Sequence, residues 1–418
     1  MTIRTMTALL AATALGATAA HADGHSGCTI QDVDGADINI LGNEFGAIQS
    51  IVSRAQECAT DGITVRSNLT TEHKDIQVPA LTANPAEYDV AIVANGSLVP
   101  LLNEGLVRPL DDLIAQYGES LDPGQLISVN GQVMAVAFMA NAQHLFYRQD
   151  ILEEAGVEPP TTFEEVIAAA QAIKDQGIME HPYVTNTQTG WNLGQEFNNM
   201  YLGYGGQFFE PGSAAVAINN EQGVQALETM KALADLSNPD FLTFDSNATG
   251  AIWEAGDAAL GMMWGSRGAP ILDDEGSTEE VTSNTVLVGA PSVGGSDKPA
   301  TTLWWDGFTI AANVSDEEAA AAFQAMVYGI DPAILEDHSD EAVWLLAGYE
   351  PSPVAQGVSE SVAGGATPYP LLPYIGLLHT ALGDELTDFM QGRESAEQAL
   401  ADVEAAYTTA AREQGFVQ

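Results

Sequence analysis

Residues 144–174, HLFYRQDILEEAGVEPPTTFEEVIAAAQAIK, constrain the fold more tightly than any other part of the chain. A tyrosine, Tyr147, closes an apolar strand, and a short acidic helix follows. Gly156 and two prolines, Pro159 and Pro160, then break the chain. Thr162 and Glu165 form a capping box that starts a second, amphipathic helix. Strand, helix, proline break and capped helix in this order read as one composite architectural unit, the building block of an α/β layer.

The amino-terminal residues are set aside before fold reasoning. Arg4 supplies a positive n-region, residues 6–20 form an uncharged apolar run, and Ala20-His21-Ala22 offers a small-x-small cleavage pattern. A cleaved signal peptide over residues 1–22 is expected. The apolar run is too short for a comfortable membrane span. His25-Ser26-Gly27 ahead of Cys28 does not make a leucine-led lipobox. The chain has only two cysteines, Cys28 and Cys58. In an exported protein these are expected to form one structural disulfide. Closing a loop of that length contributes about 3 kcal/mol.

At 418 residues the chain is too long for one ordinary core, so two lobes are expected. Asp and Glu number 58 against 12 Lys and Arg, a formal net charge of -46. That balance argues against nucleic acid and anionic lipid as partners, because both require basic contacts. The hydrophobic share of 46% and six tryptophans argue against disorder.

Residues 37–41 read as a strand, 44–59 as an amphipathic helix, 62–68 as a second strand, and 88–93 as a buried third strand. Thr70 is a candidate cap for the helix between the last two. This β-α-β-α-β order implies a doubly wound lobe, with ligands beyond the carboxyl ends of the strands, at loops 43–45 and 94–97. Asn130-Gly131 signals a hairpin. Further helices are expected at 191–203, 221–236, 316–328, 384–390 and 395–413, and strands at 259–264, 285–290 and 308–312. The polar loop 294–299 is a candidate crossing between lobes.

The tyrosine-containing strand and the Pro-Thr-Thr-Phe-Glu helix start at Pro160 resemble those of family 1 extracellular solute-binding proteins, the receptors of carbohydrate ABC importers. Tyr88-Asp89-Val90 is similar to that family's "proline–aspartate–valine" strand. Trp253-Glu-Ala-Gly-Asp-Ala-Ala-Leu-Gly-Met-Met263 resembles its aromatic, glycine, alanine and methionine segment. Trp305-Asp-Gly-Phe-Thr-Ile-Ala311 resembles its late glycine-containing strand, although this chain has Trp304-Trp305 where many members place a glycine pair. The resemblance implies a two-lobe periplasmic-binding-protein fold of type II, maltose-binding-protein-like, with interlobe crossings. The lobes it implies are 23–141 plus 299–345, and 142–298 plus 346–418.

Enzyme signatures are absent: there is no Gly-x-Ser-x-Gly elbow, phosphate-cradling glycine loop or His-Glu-x-x-His. Asp32-Val-Asp-Gly-Ala-Asp37 lacks the later spacing of a calcium loop, and no metal or cofactor is expected. Binding is the better reading. Sugar faces stack on tryptophan, and their hydroxyls need Asn, Asp, Gln or Arg partners. Trp253 and Trp344, read as mid-helix, are assigned to the core. Trp191, Trp264, Trp304 and Trp305 lie at strand ends or helix starts beside polar residues, so they are assigned to ligand. Only one of Trp304 and Trp305 should face the cleft, since strand neighbours point to opposite faces. Gln195, Arg267 and Asp306 join them.

The resemblance adds Asn43, Glu44, Asn95 and Ser97 from the first lobe, and Asn141 and Gln143 from the crossing. It further implies a monomeric periplasmic receptor that delivers a carbohydrate-like solute, neutral rather than acidic, to ABC permease subunits. A sensing adaptor for a chemoreceptor or kinase stays open, as does, more remotely, a secreted carbohydrate-active enzyme.

Overall fold

The computed structural model describes residues 27–418 apart from residue 274. The expected leader, 1–22, lies outside the described residues. The chain opens with β1 (Ala36–Gly42), α1 (Gly46–Gln56), β2 (Ile63–Leu69), α2 (His73–Thr82) and β3 (Val90–Ala94). β1 pairs in parallel with β2 from Ala36↔Ile63 to Gly42↔Leu69, and with β3 at Ile40↔Val90. The first four residues of β3, Val90 to Val93, are buried, as expected of a strand covered on both faces. Ile48, Ile51, Val52 and Ala55 form the inner face of α1. The Cys28–Cys58 disulfide ties the start of the described chain to the end of that helix.

After α3 (Asn95–Asn103) and α4 (Asp111–Tyr117), β4 (Leu126–Val129) and β5 (Gln132–Asn141) form the expected hairpin. Its turn residues Asn130 and Gly131 have φ of 53° and 84°, the left-handed conformation that this turn demands. β5 ends at Asn141, and after the single residue Ala142 β6 (Gln143–Arg148) begins in a different sheet. This is the first passage between lobes.

The opening sequence unit forms as expected. β6 is followed by α5 (Gln149–Ala155), stopped by Gly156 at φ 67°, and by α6 (Phe163–Asp175). Thr162 Oγ1 accepts from the Glu165 N–H at 3.2 Å, and Glu165 Oε2 accepts from the Thr162 N–H at 3.2 Å. β7 (Tyr183–Thr185), α7 (Trp191–Gly203), β8 (Leu260–Trp264) and β9 (Thr285–Val288) complete the lobe, with sheet order β7-β8-β6-β9. β6 is buried on both faces. Leu145 and Tyr147 join a core with Phe163, Phe197 and Tyr201, while Phe146 joins a smaller cluster with Trp253, Met263 and Leu287.

β10 (Thr302–Ile310) returns to the first sheet and lies antiparallel between β5 and β3. It starts six residues before the expected strand at 308, so Trp304 and Trp305 are strand residues. The loop 294–299 stays with the second lobe, because Val293 and Ala300 on either side of it belong to that core. The second passage therefore falls at Thr301 and Thr302. β11 (Val343–Trp344) pairs with β5, and β12 (Thr367–Pro368) pairs with β10. Trp344 is on that short strand rather than mid-helix, yet it is core as expected, with Nε1 donating to the His338 carbonyl at 2.9 Å. Trp253 is also core, donating to Thr285 Oγ1 at 3.0 Å. Helix Ile375–Met390 packs on α7, and Ala396–Glu413 packs on Ile375–Met390 and on the helix Glu221–Ala234, all in the second lobe. The first of these begins nine residues before its expected start at 384, because Leu378 and Leu382 extend its buried stripe.

Candidate ligand-binding cleft

Parallel strands of an open α/β sheet collect ligand-facing loops at their carboxyl ends. β1, β2 and β3 end at Gly42, Leu69 and Ala94 on one edge. After β1, Asn43 is half-buried and accepts the Glu44 N–H at 2.8 Å, while Glu44 is exposed. After β2, Thr70 does not cap α2; it accepts the Glu72 N–H at 3.3 Å in a turn that starts the helix at His73. The turn carries Lys74 into the cleft. After β3, Asn95 is 1% exposed and fully engaged. It accepts the Trp305 N–H at 2.9 Å and donates to the carbonyls of Leu303 and Tyr369 at 3.5 and 3.4 Å. Ser97 accepts the Ala94 N–H at 3.0 Å and closes the first turn of α3. Asn95 thus joins β10 and the segment at Tyr369, and Ser97 closes its own helix turn, because this irregular junction has backbone groups of its own to satisfy.

The second lobe and β10 supply an aromatic cluster. Trp191 opens α7 behind Gly190, whose φ of 98° favours glycine. Gly383 approaches the Gly190 backbone so closely that a side chain there would collide with it. Ring centroids of Trp191 and Trp264 are 6.3 Å apart, of Trp191 and Trp304 5.4 Å, and of Trp264 and Trp304 6.1 Å. Tyr369 stacks on Trp304 at 4.1 Å, and His379 stacks on Trp191 at 4.8 Å. His379 Nε2 donates to the Trp191 carbonyl and Nδ1 accepts from the Tyr369 hydroxyl, each at 2.8 Å. Burial lowers the His379 pKa to about 4, so the ring is neutral and its tautomer is set by these two bonds. Trp304 sides with this cluster, whereas Trp305 packs against the core of the first lobe, as strand alternation requires.

Lys74, on the first lobe, holds its Nζ 4.0 Å from the centroid of the Trp191 ring on the second, a cation–π contact across the lobes. Asp306 of β10 acts on the same ammonium, and desolvation raises its own pKa to about 7 against the pull of Lys74. Lys74 is exposed, while Asp306 and Glu196 are half-buried. Glu196 of α7 is pushed up to about 8 by desolvation, and its Oε1 accepts from Gln143 Nε2 at 2.5 Å.

Behind the aromatics lies a buried polar layer. Gln143, Gln195, Asn199 and Thr302 are each at most 3% exposed and bond to one another. Gln143 and Gln195 therefore support the platform rather than reach past it. Asn141 turns back on the Trp264–Arg267 segment, donating to Ser266 Oγ at 3.2 Å. Arg267 is half-buried on that segment, and desolvation lowers its pKa against the pull of Asp245 and Glu254. Of the residues expected to bind ligand, Trp191, Trp264, Trp304 and Asp306 are brought together. Lys74, Glu196, Tyr369 and His379 were missed. Lys74 lay close to where the strand-end rule looks, since it opens α2 just past the loop that follows β2 at the same edge.

Two α/β lobes joined by short passages, with an aromatic platform between them, define a two-lobe solute receptor. The sequence profile of the bacterial extracellular solute-binding proteins matches residues 72–332, and the chain belongs to that family. A probable ABC transporter-binding protein of Deinococcus radiodurans is 26% identical over 208 residues, so the aligned stretch spans about half of either chain, 48% of each. Among solved structures, a solute-binding protein of Agrobacterium radiobacter K84 in complex with ribitol has TM-score 0.79 at 18% identity, covering 90% of this chain and 99% of that one. Maltose-bound MalE3 of T. maritima has TM-score 0.76 at 19% identity, covering 90% and 100%. A receptor of Agrobacterium vitis S4 with bound D-mannitol has TM-score 0.74 at 18% identity, covering 92% and 100%. The chain has the two-lobe fold of these receptors and is an extracellular solute-binding protein, not an enzyme. No helix among the described residues is long and apolar enough to cross a membrane.

Proposed function

We propose that this chain is the periplasmic substrate-binding protein of an ABC importer, capturing a neutral sugar or polyol between its lobes and delivering it to the permease. The observation that carries the reading is the interlobe platform of Trp191, Trp264 and Trp304, faced from the first lobe by Lys74 and Asp306. Carbon-bound hydrogens of a sugar stack on indole, while its hydroxyls accept from an ammonium and donate to a carboxylate. Desolvation raises the Asp306 pKa to about 7 and lowers that of Lys74, shifting both toward their uncharged forms, which suits a neutral ligand. A uronate would meet Asp306, and an amino sugar would meet Lys74. The ribitol, D-mannitol and maltose held by the structural relatives are all uncharged polyols or sugars, which supports the same class.

In this reading the ligand contacts are Trp191, Trp264, Trp304, Asp306 and Lys74, with Asn43 and Glu44 at the rim. The first lobe ends at Asn141, the leader 1–22 is cleaved, and the mature chain acts as a monomer. Ligand binding stabilises the closed arrangement that the permease distinguishes from the open one. A thermal-shift screen of ribitol, D-mannitol, maltose, glucuronate and glucosamine tests it. A ligand that binds only the folded state raises the midpoint, and a rise confined to the charged sugars would overturn the neutral assignment.

A further inference from the structure

The buried layer behind the tryptophans joins three segments that are remote in sequence. Asn199, two turns along α7 from Trp191, accepts from the Thr302 N–H at 2.9 Å, from Thr302 Oγ1 at 2.8 Å and from Gln195 Nε2 at 2.9 Å, and donates to Gln143 Oε1. Gln143 opens β6 just past the first passage between lobes, and Thr302 opens β10 at the second. Each tryptophan of the platform is attached to this knot. Trp304 Nε1 donates to Thr302 Oγ1 at 2.8 Å, Trp264 lies opposite Gln143 in the β6–β8 register, and Trp191 shares α7 with Asn199.

We propose that Asn199 is a positioning residue that couples the first two of the three interlobe passages to the tryptophan platform. Asn199 is 3% exposed and Thr302 fully buried. In such a low-dielectric setting each bond that is made favours one arrangement; Asn199 and Thr302 have theirs, while the side-chain oxygen of Gln195 at the edge of the layer has no partner. Turning the lobes about the passages moves Gln143 and Thr302, and their bonds to Asn199 carry α7 and Trp191 with them. The geometry of these two passages and the spacing of the three indoles are thereby linked. An apolar residue at 199 fills the space but releases Thr302, and with it the orientation of Trp304.

The test needs a readout that ordinary core loosening does not move. Tryptophans at this spacing give an exciton couplet in far-ultraviolet circular dichroism, which can be measured without ligand. Asn199→Leu and Thr302→Val are expected to diminish the couplet, while Thr302→Ser, which keeps the hydroxyl, restores it. Leu400→Ala, in the second-lobe core on the helix Ala396–Glu413, is expected to lower Tm with the couplet intact. If Asn199→Leu does not fold, Thr302→Val against Thr302→Ser decides alone. A folded Thr302→Val protein with the wild-type couplet overturns the proposal. A second arm rests on the sugar-receptor reading: affinity for D-mannitol, ribitol or maltose should fall at least tenfold in Thr302→Val and recover in Thr302→Ser. Wild-type protein that binds none of the three defeats that reading and leaves the couplet to judge the coupling.

Discussion

Replacing Trp191 by leucine removes the ring that lies between His379 and Lys74 while keeping a good helix former at the start of α7. A tryptophan side chain offers about 150–250 Å² in all. Trp191 is half-buried, with His379 stacked on one face, the Lys74 ammonium over the other and Trp264 and Trp304 as further neighbours, so a ligand reaches the ring by displacing Lys74. Roughly a quarter of the ring's surface is then left for a ligand, and at about 25 cal/mol/Å² this contributes on the order of 1–1.5 kcal/mol. The affinity for a neutral sugar or polyol should therefore fall by about tenfold, since each 1.4 kcal/mol is a factor of about ten. Calorimetric titration of wild type and variant with the same ligand reads this directly, and circular dichroism confirms that the variant is folded. A Kd within twofold of wild type would refute the placement of ligand against this ring.

Lys74→Met keeps the aliphatic stem and deletes the ammonium, so affinity for a neutral polyol should drop by about 0.5–2 kcal/mol, the range of a partly desolvated cation–π donor; a tighter complex in calorimetry would contradict a ligand-facing Lys74. Glu196 bears on pH. Desolvation raises its folded-state pKa from 4.5 to about 8, so its stabilising contribution is complete below the ordinary carboxyl pKa and is lost as pH rises through about 8. Glu196→Gln, which resembles the protonated form at every pH, should gain stability relative to wild type between those values in urea denaturation; parallel profiles would rule that out. Cys28→Ser should lower stability by about 3 kcal/mol, and dithiothreitol should lower the wild-type Tm similarly, whereas an unchanged Tm in reductant would show the bridge to be idle.

Much of the architecture was legible because it is local. The Thr162–Glu165 capping box, the Gly156 stop and the Asn130-Gly131 turn each follow from a few adjacent residues, and all three formed as read. Strand parity also placed Trp304 and Trp305 on opposite faces, but only pairing with β5 and β3 decided which of them meets the second lobe. The errors share a cause. Asn95 looked like a ligand contact because it follows a strand, yet the junction of α3, β10 and β12 uses all its hydrogen bonds. His379 and Tyr369 lie far along the chain from Trp191, and no local pattern could have joined them.

The most direct test of the central claim is a calorimetric titration of the mature wild-type chain with D-mannitol, ribitol and maltose, with glucuronate as the anionic comparison. Capture between the lobes on the tryptophan platform predicts one site per chain for at least one neutral ligand. It also predicts a negative heat-capacity change from buried apolar surface, and weaker or no binding of glucuronate. Saturable binding of glucuronate alone, or a neutral ligand whose affinity is indifferent to the loss of both Trp191 and Trp264, would contradict it.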